Sequence, residues 1–370
     1  MHYINNSSVL AVLGALLPLA ATATTPTFSI VAKLPGSPVI GAERNATLYG
    51  TTTGGGASSH GSLFSLSTTG TYILLYSFSG GTDGNYPNGG LVTNAASTIF
   101  GTTRSGADGY GTLWSFAGGT LTTLHIFASN TDLAIPLQGP ELNARGVLFG
   151  SAATGAPNNN GGIFRLEPNG DYKILYNFLS GTDGHCPYSG VAVDKVSALY
   201  GTTIGMGYGG DLNGSVWRLS SGGTLTTIYD FKDNVDDGEW PDQAPVMDKA
   251  GNVYGTTHVY NGSNFAGAIW RISPPHNFSV LHDLNASTDG FAPNSPLILN
   301  TDGNLYGTTS SGGSGGYGTV FEITPSGTFT VMHSFTNGTD GGTPTGNLAN
   351  DSNGSIYGGT QSGEVFKIVP

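Results

Sequence analysis

The chain has little charge, a single cysteine and no long apolar run. Charged residues make up 10% of its 370 positions, against roughly 25% in an average globular domain. Only 12 are Lys or Arg against 24 Asp or Glu, giving a formal net charge of -12. A polyanionic partner would be repelled at long range, and no Lys/Arg run or basic amphipathic stretch offsets this, so nucleic acid is excluded as a partner. No apolar run reaches the roughly 18 residues that a bilayer-spanning helix needs, so no membrane span is expected. The lone Cys186 excludes an intramolecular disulfide framework, and stability must come from packing. That thiol reads as a half-buried small side chain rather than a nucleophile. No segment keeps a 3.6-residue apolar period, which excludes helical solenoids. Nucleophile elbow, HExxH pair, P-loop, dinucleotide fingerprint and metal-ligand spacing are all missing, so neither a cofactor nor a metal is expected.

What is abundant is glycine, 60 residues. Without a strict triplet it cannot be collagen, and the aromatic and β-branched content is too high for a disordered chain. A turn-rich all-β fold is left. Ahead of it, residues 9–19 form a short apolar core ending in Ala21-Thr22-Ala23, read as a signal peptide over residues 1–23 despite an n-region without Lys or Arg. Export follows from that reading, to the periplasm or the medium.

The tripeptide hydrophobic-aromatic-Gly recurs seven times, with its glycine at Gly50, Gly101, Gly150, Gly201, Gly255, Gly307 and Gly358, spaced 49 to 54 residues apart. This period is that of four-stranded propeller blades. Four short strand-like runs fit each period: a Gly-Leu-Val run (A), Tyr-Gly-Thr-Thr (B), Gly-Thr-hydrophobic-Phe (C) and Tyr/His-x-Phe (D). The last copy stops at Pro370 without a D run, and a spare strand, 27–34, precedes the first A run. A ring closed by pairing the two ends accounts for both, and closure removes exposed edges. The expectation is one domain, residues 24–370, folded as a seven-bladed β-propeller whose last blade takes its outer strand from the N-terminal side.

The run Leu-Tyr-Gly-Thr-Thr, Gly-rich loop, Gly-Thr-hydrophobic-Phe and Tyr-x-Phe-x-Gly-Gly-Thr-Asp-Gly, clearest over 305–341 and 76–84, resembles the GloVer tandem repeat of exported bacterial proteins. The resemblance covers residues 27–370 and implies an exported, often surface-anchored protein. With no hydrophobic tail or sorting signal before Pro370, free secretion is the expectation here.

The most regular polar feature is Asp-x-x-x-Pro after strand D, beginning at Asp83, Asp132, Asp183, Asp237, Asp289 and Asp340. One carboxylate per loop is too few oxygens for calcium, so these read as turn formers accepting backbone N–H bonds. The D runs carry Tyr76, His125, Tyr176, Tyr229, His282 and His333 at one place, read as packing with a polar tip. In a repeat protein, a specific function sits where the repeat is broken. Two neighbouring blades depart from it together: His185 and Cys186 lead into the fourth, with Met206, Tyr208 and Asp211 in its B–C loop. Glu239, Trp240 and Asp242 lead into the fifth, with His258, Tyr260 and Asn261 in its B–C loop. His60 departs alone on the first. The ligand-contact candidates are thus His60, His185, Tyr208, Asp211, Trp240, His258 and Tyr260. The leading reading is a secreted recognition scaffold for extracellular carbohydrate or a protein surface. One alternative is a polysaccharide hydrolase or lyase using Glu239, Asp242 and His258; another is a structural cell-surface protein. The oligomeric state stays open.

Overall fold

A computed structural model describes residues 25–87, 89–106, 109–128, 130–179, 183–205, 213–232, 237–258 and 266–370. The signal-peptide segment, residues 1–23, lies outside them. Among the described residues every regular element is a strand; seven antiparallel blades have four strands each, and Leu133–Ala134 with Thr154–Gly155, and Phe291–Pro293, add short pairings at the crossings. In blade one the strands A to D are Pro38–Arg44, Thr47–Thr52, Ser62–Ser67 and Tyr72–Ser77. Inner strands are short, only two residues each from Val92–Thr93 in blade two to Ile298–Leu299 in blade six. Blade seven is Pro344–Asn350, Ile356–Thr360 and Glu364–Val369, with Thr27–Lys33 as its outer strand, paired from Thr27↔Val369 to Lys33↔Glu364. The displaced strand therefore closes the ring, as its place in the sequence requires.

The repeated glycine of strand B is a packing device. Opposite it on strand C stand Phe64, Trp114, Phe164, Trp217, Trp270, Phe321 and Phe366, all fully buried. A Cβ at Gly307 would sit 2.5 Å from Phe321 Cζ and 2.8 Å from Leu297 Cδ2, so only glycine lets the ring lie across strand B. The core then forms between blades. Tyr254 of blade five packs with Leu305 and Phe321 of blade six, and Tyr306 of blade six packs with Ile356 and Phe366 of blade seven.

The D-to-A crossings are the second device. The residue before each proline is left-handed, at Tyr86, Ile135, Cys186, Trp240, Ala292 and Thr343 (φ 51 to 61°), uncommon for non-glycine residues and more so for β-branched ones. This turns its N–H to the B–C loop of the preceding blade and its carbonyl to that of its own: Thr343 N–H donates to Tyr317 O and its carbonyl accepts from Gln361 N–H, at 2.8 and 3.0 Å. At Tyr86, Ile135, Trp240 and Thr343 two such backbone bonds offset the local strain.

The Asp ring is wired to strand D. Tyr76, Tyr176 and Tyr229 donate their hydroxyls to Asp83, Asp183 and Asp237 at 3.0, 2.9 and 2.6 Å. The Nε2 atoms of His125, His282 and His333 face Asp132, Asp289 and Asp340 at 2.7, 2.9 and 3.2 Å. Tyr and His interchange at this place because each offers a flat ring and one donor. The flat face matters too: His125 stacks on Tyr172 of the next blade with centroids 3.6 Å apart, and His333 on Phe28 at the same spacing. Most of these carboxylates also accept a backbone N–H from the end of strand D, such as Ser79 to Asp83 at 2.7 Å. The sequence reading named the backbone bonds and missed the side-chain partner. Burial would raise the pKa of Asp83, Asp132, Asp289 and Asp340, yet their hydrogen bonds outweigh it and hold all four below the usual value. Blade seven has no such pair: Ala32, opposite Val365, occupies the Tyr/His place. Its next register pair instead joins Lys33 Nζ to Glu364 Oε1 at 2.7 Å.

Candidate functional site

The segment 237–242 leads into blade five. Its Asp237 and Gly238 follow the repeat, and Glu239 N–H donates to His258 O at 2.7 Å, joining the crossing to the B–C loop of the same blade. Trp240 is left-handed (φ 52°) and half-buried, with its N–H on Asn213 O at 3.0 Å. Pro241 then places Asp242 at the inner end of the crossing, just before strand A.

This brings Asp242 and His258 together, with Asp242 Oδ2 3.7 Å from His258 Nδ1. The His258 Nε2 donates to the Pro293 carbonyl at 2.7 Å, because a carbonyl can only accept. Neutral His258 therefore turns a bare Nδ1 lone pair toward Asp242, and protonated His258 turns an N–H toward it. Gln243 Nε2 donates to Asp242 Oδ1 at 3.1 Å, while Gln243 Oε1 is buried without a hydrogen-bond partner. Burial raises the pKa of Asp242, opposed in part by the nearby imidazole. Gln243 and the Pro293 carbonyl were not foreseen. Gln243 lies two residues after one repeated proline, and Pro293 is the repeated proline of the next blade.

Other sequence candidates lie apart from this pair or outside view. His185 is buried at the crossing position equivalent to Glu239, one blade earlier. Cys186 is half-buried with its thiol pKa pushed up by burial, which keeps it the unreactive thiol. His60 sits on blade one with its carbonyl accepting from Tyr86 N–H at 3.1 Å. Met206, Tyr208, Asp211, Tyr260 and Asn261 lie outside the described residues. No group of three or more His, Cys, Asp or Glu suited to a metal occurs among the described residues.

Four His–Asp pairs exist among the described residues. Three belong to the D-strand ring and repeat around the molecule, so they are scaffold. Asp242–His258 is the one outside that scheme.

One carboxylate away from the rim was not anticipated. Glu141 opposes Phe149 in blade three where other blades carry Ala42, Val92, Ala192, Val246, Ile298 and Ala349. Burial pushes its pKa up to about 7. A carboxylate raised in the fold costs stability above its ordinary value, increasingly until the folded pKa is passed. Glu141→Gln is therefore expected to stabilise the protein by about 1–3 kcal/mol at pH 8 and by nothing measurable at pH 4, read from urea unfolding at both.

Fold and wiring define a closed seven-bladed β-propeller built from tandem repeats. Residues 21–211 and 138–368 match the Gloeobacter/Verrucomicrobia repeat, and the chain belongs to that family. No curated protein matches it in sequence. Among solved structures it is similar to a streptogramin B lyase, at 15% identity over 93% of this chain and 97% of that one, with a TM-score of 0.62. It is also similar to the extracellular domain of a protein described as a one-component system of B. thetaiotaomicron, at 12% identity over 92% of this chain but 39% of that one, TM-score 0.61. A puromycin hydrolase matches at 11% identity over 89% of this chain and 50% of that one, TM-score 0.57. At such identities the likeness is one of fold.

Proposed function

We propose that the protein is an exported recognition scaffold whose ligand, an extracellular carbohydrate, is held on the rim of blade five. The Asp242–His258 pair carries the reading: it is the described His–Asp contact that the repeat does not use for its own wiring. Asp242 accepts hydroxyl donors, His258 Nδ1 accepts or donates with its charge state, and the half-buried Trp240 next to them offers an apolar ring face, a set that suits a hydroxyl-rich ring. The family resemblance and the signal read over residues 1–23 support action outside the cytoplasm.

A glycan array probed with the mature chain is expected to show binders that Asp242→Asn and His258→Ala each weaken at least tenfold, about 1.4 kcal/mol or more. Absence of any glycan bound at high micromolar protein would overturn the reading, and a protein captured from culture medium in its place would move the ligand class from glycan to protein. The enzyme alternative rests on the raised pKa of Asp242 beside an imidazole. It is tested by incubating polysaccharides with wild type and a Glu239→Gln/His258→Ala double variant. Turnover by the first and none by the second would establish it over simple binding.

A further inference from the structure

On the face opposite the B–C loops, a cleft of about 270 Å³ opens between blades three and four. We propose that it is a second binding site, for a single sugar-acid residue such as a hexuronate, independent of the rim of blade five.

Three other seams are tied on this face by a side chain reaching a carbonyl of the next blade. Arg44 reaches Ala95 O at 2.9 Å, Arg271 reaches Pro325 O at 3.0 Å and Asn300 reaches Gly354 O at 3.0 Å. Between blades three and four, Arg145 reaches only the Ser197 hydroxyl, at 3.0 Å, and the cleft lies beneath that bridge. Its second cation, Arg165, keeps an ion pair with Glu167 but lacks a hydrogen-bond partner at Nε because of one change in the repeat. In blade four the equivalent Arg218 donates Nε–H to Tyr200 Oη at 3.1 Å. Blade three has Phe149 opposite Arg165, so the hydroxyl is missing, and Arg165 Nε lies 3.4 Å from Glu167 Oε1 without making a hydrogen bond.

Two guanidinium groups against one carboxylate make this cleft locally cationic in a chain of net charge -12. A guanidinium is the group best suited to a carboxylate, which it meets with paired N–H donors. The floor of Phe149 and Leu199 is apolar and suits a ring face, and the Ser197 and Ser220 hydroxyls at the edge suit sugar hydroxyls. The volume lies just below the range of ligand pockets, roughly 300–1,000 Å³, and suits one ring rather than a chain.

Titration calorimetry of the mature chain with galacturonate and glucuronate, against galactose, glucose and inorganic phosphate, tests this. A hexuronate is expected to bind with Kd of about 1 mM or tighter, and the neutral hexoses and phosphate at least tenfold more weakly. Arg165→Gln should remove most of that binding with the melting temperature unchanged. Phe149→Tyr, which restores the hydroxyl partner that Arg218 enjoys, should weaken it without unfolding the protein. Asp242→Asn on the rim should leave it alone. Equal affinity for hexose and hexuronate, a folded Arg165→Gln variant that binds as wild type, or no heat at 10 mM hexuronate, about tenfold above the expected Kd, would each overturn the proposal.

Discussion

Gly307→Ala is expected to destabilise the protein by at least about 3 kcal/mol, or to leave it in inclusion bodies. The new methyl would meet Phe321 Cζ at 2.5 Å and Leu297 Cδ2 at 2.8 Å. Phe321 is fully buried among Tyr254, Leu297 and Leu305, so it cannot swing away without opening the contact between blades five and six. Interiors packed at crystal density relay such a shift rather than absorb it. Gly54→Ala is the control: its Cβ would meet nothing within 4 Å and the backbone is not left-handed there. It should change stability by less than about 0.5 kcal/mol. Urea unfolding of the two variants side by side checks the pair. Equal effects would mean that the repeated Tyr-Gly glycine is a backbone requirement and not a packing one.

Glu364→Gln is expected to cost about 2–3 kcal/mol at pH 7 and less than half of that at pH 3. Glu364 is nearly buried, and it receives Lys33 Nζ at 2.7 Å and Thr360 Oγ1 at 2.6 Å, with Ser362 as a third donor. Burial would raise its pKa, but these donors win and hold it at about 2. A carboxylate whose folded pKa is depressed gives stability above its ordinary value, and that stability drains away as the pH falls toward the folded pKa. The window is thus pH 4.5 down to about 2. Lys33 is mostly exposed, its side chain 69% accessible, so Lys33→Met should cost under about 1 kcal/mol. Because Glu364 and Lys33 join the last strand to the first, hydrogen exchange in Thr27–Lys33 should rise in Glu364→Gln before it rises elsewhere. A uniform rise around the ring would refute closure as the weak point.

The sequence by itself determined the number of blades, their register and the closing strand. Each rests on a local, periodic cue: a glycine that cannot be replaced beneath an aromatic ring, alternating strand residues, and a missing D run matched by a spare one. Repetition made these legible, since seven copies average out the irregularities of any one. The candidate rim was legible only in part. Departures from the repeat pointed to Glu239, Trp240, Asp242 and His258. That His258 Nε2 would be taken by the Pro293 carbonyl, leaving Nδ1 for Asp242, depends on a contact between consecutive blades. Nothing in the sequence at position 258 encodes it. The same holds for the Asp ring, whose partners lie seven or eight residues back on strand D, and for Glu141, whose raised pKa comes from the depth of its strand in the ring. Only the tertiary structure decided these, because a hydrogen-bond partner or a desolvated carboxylate is a property of the neighbours that folding supplies, whereas strand periodicity and glycine spacing are properties of the chain.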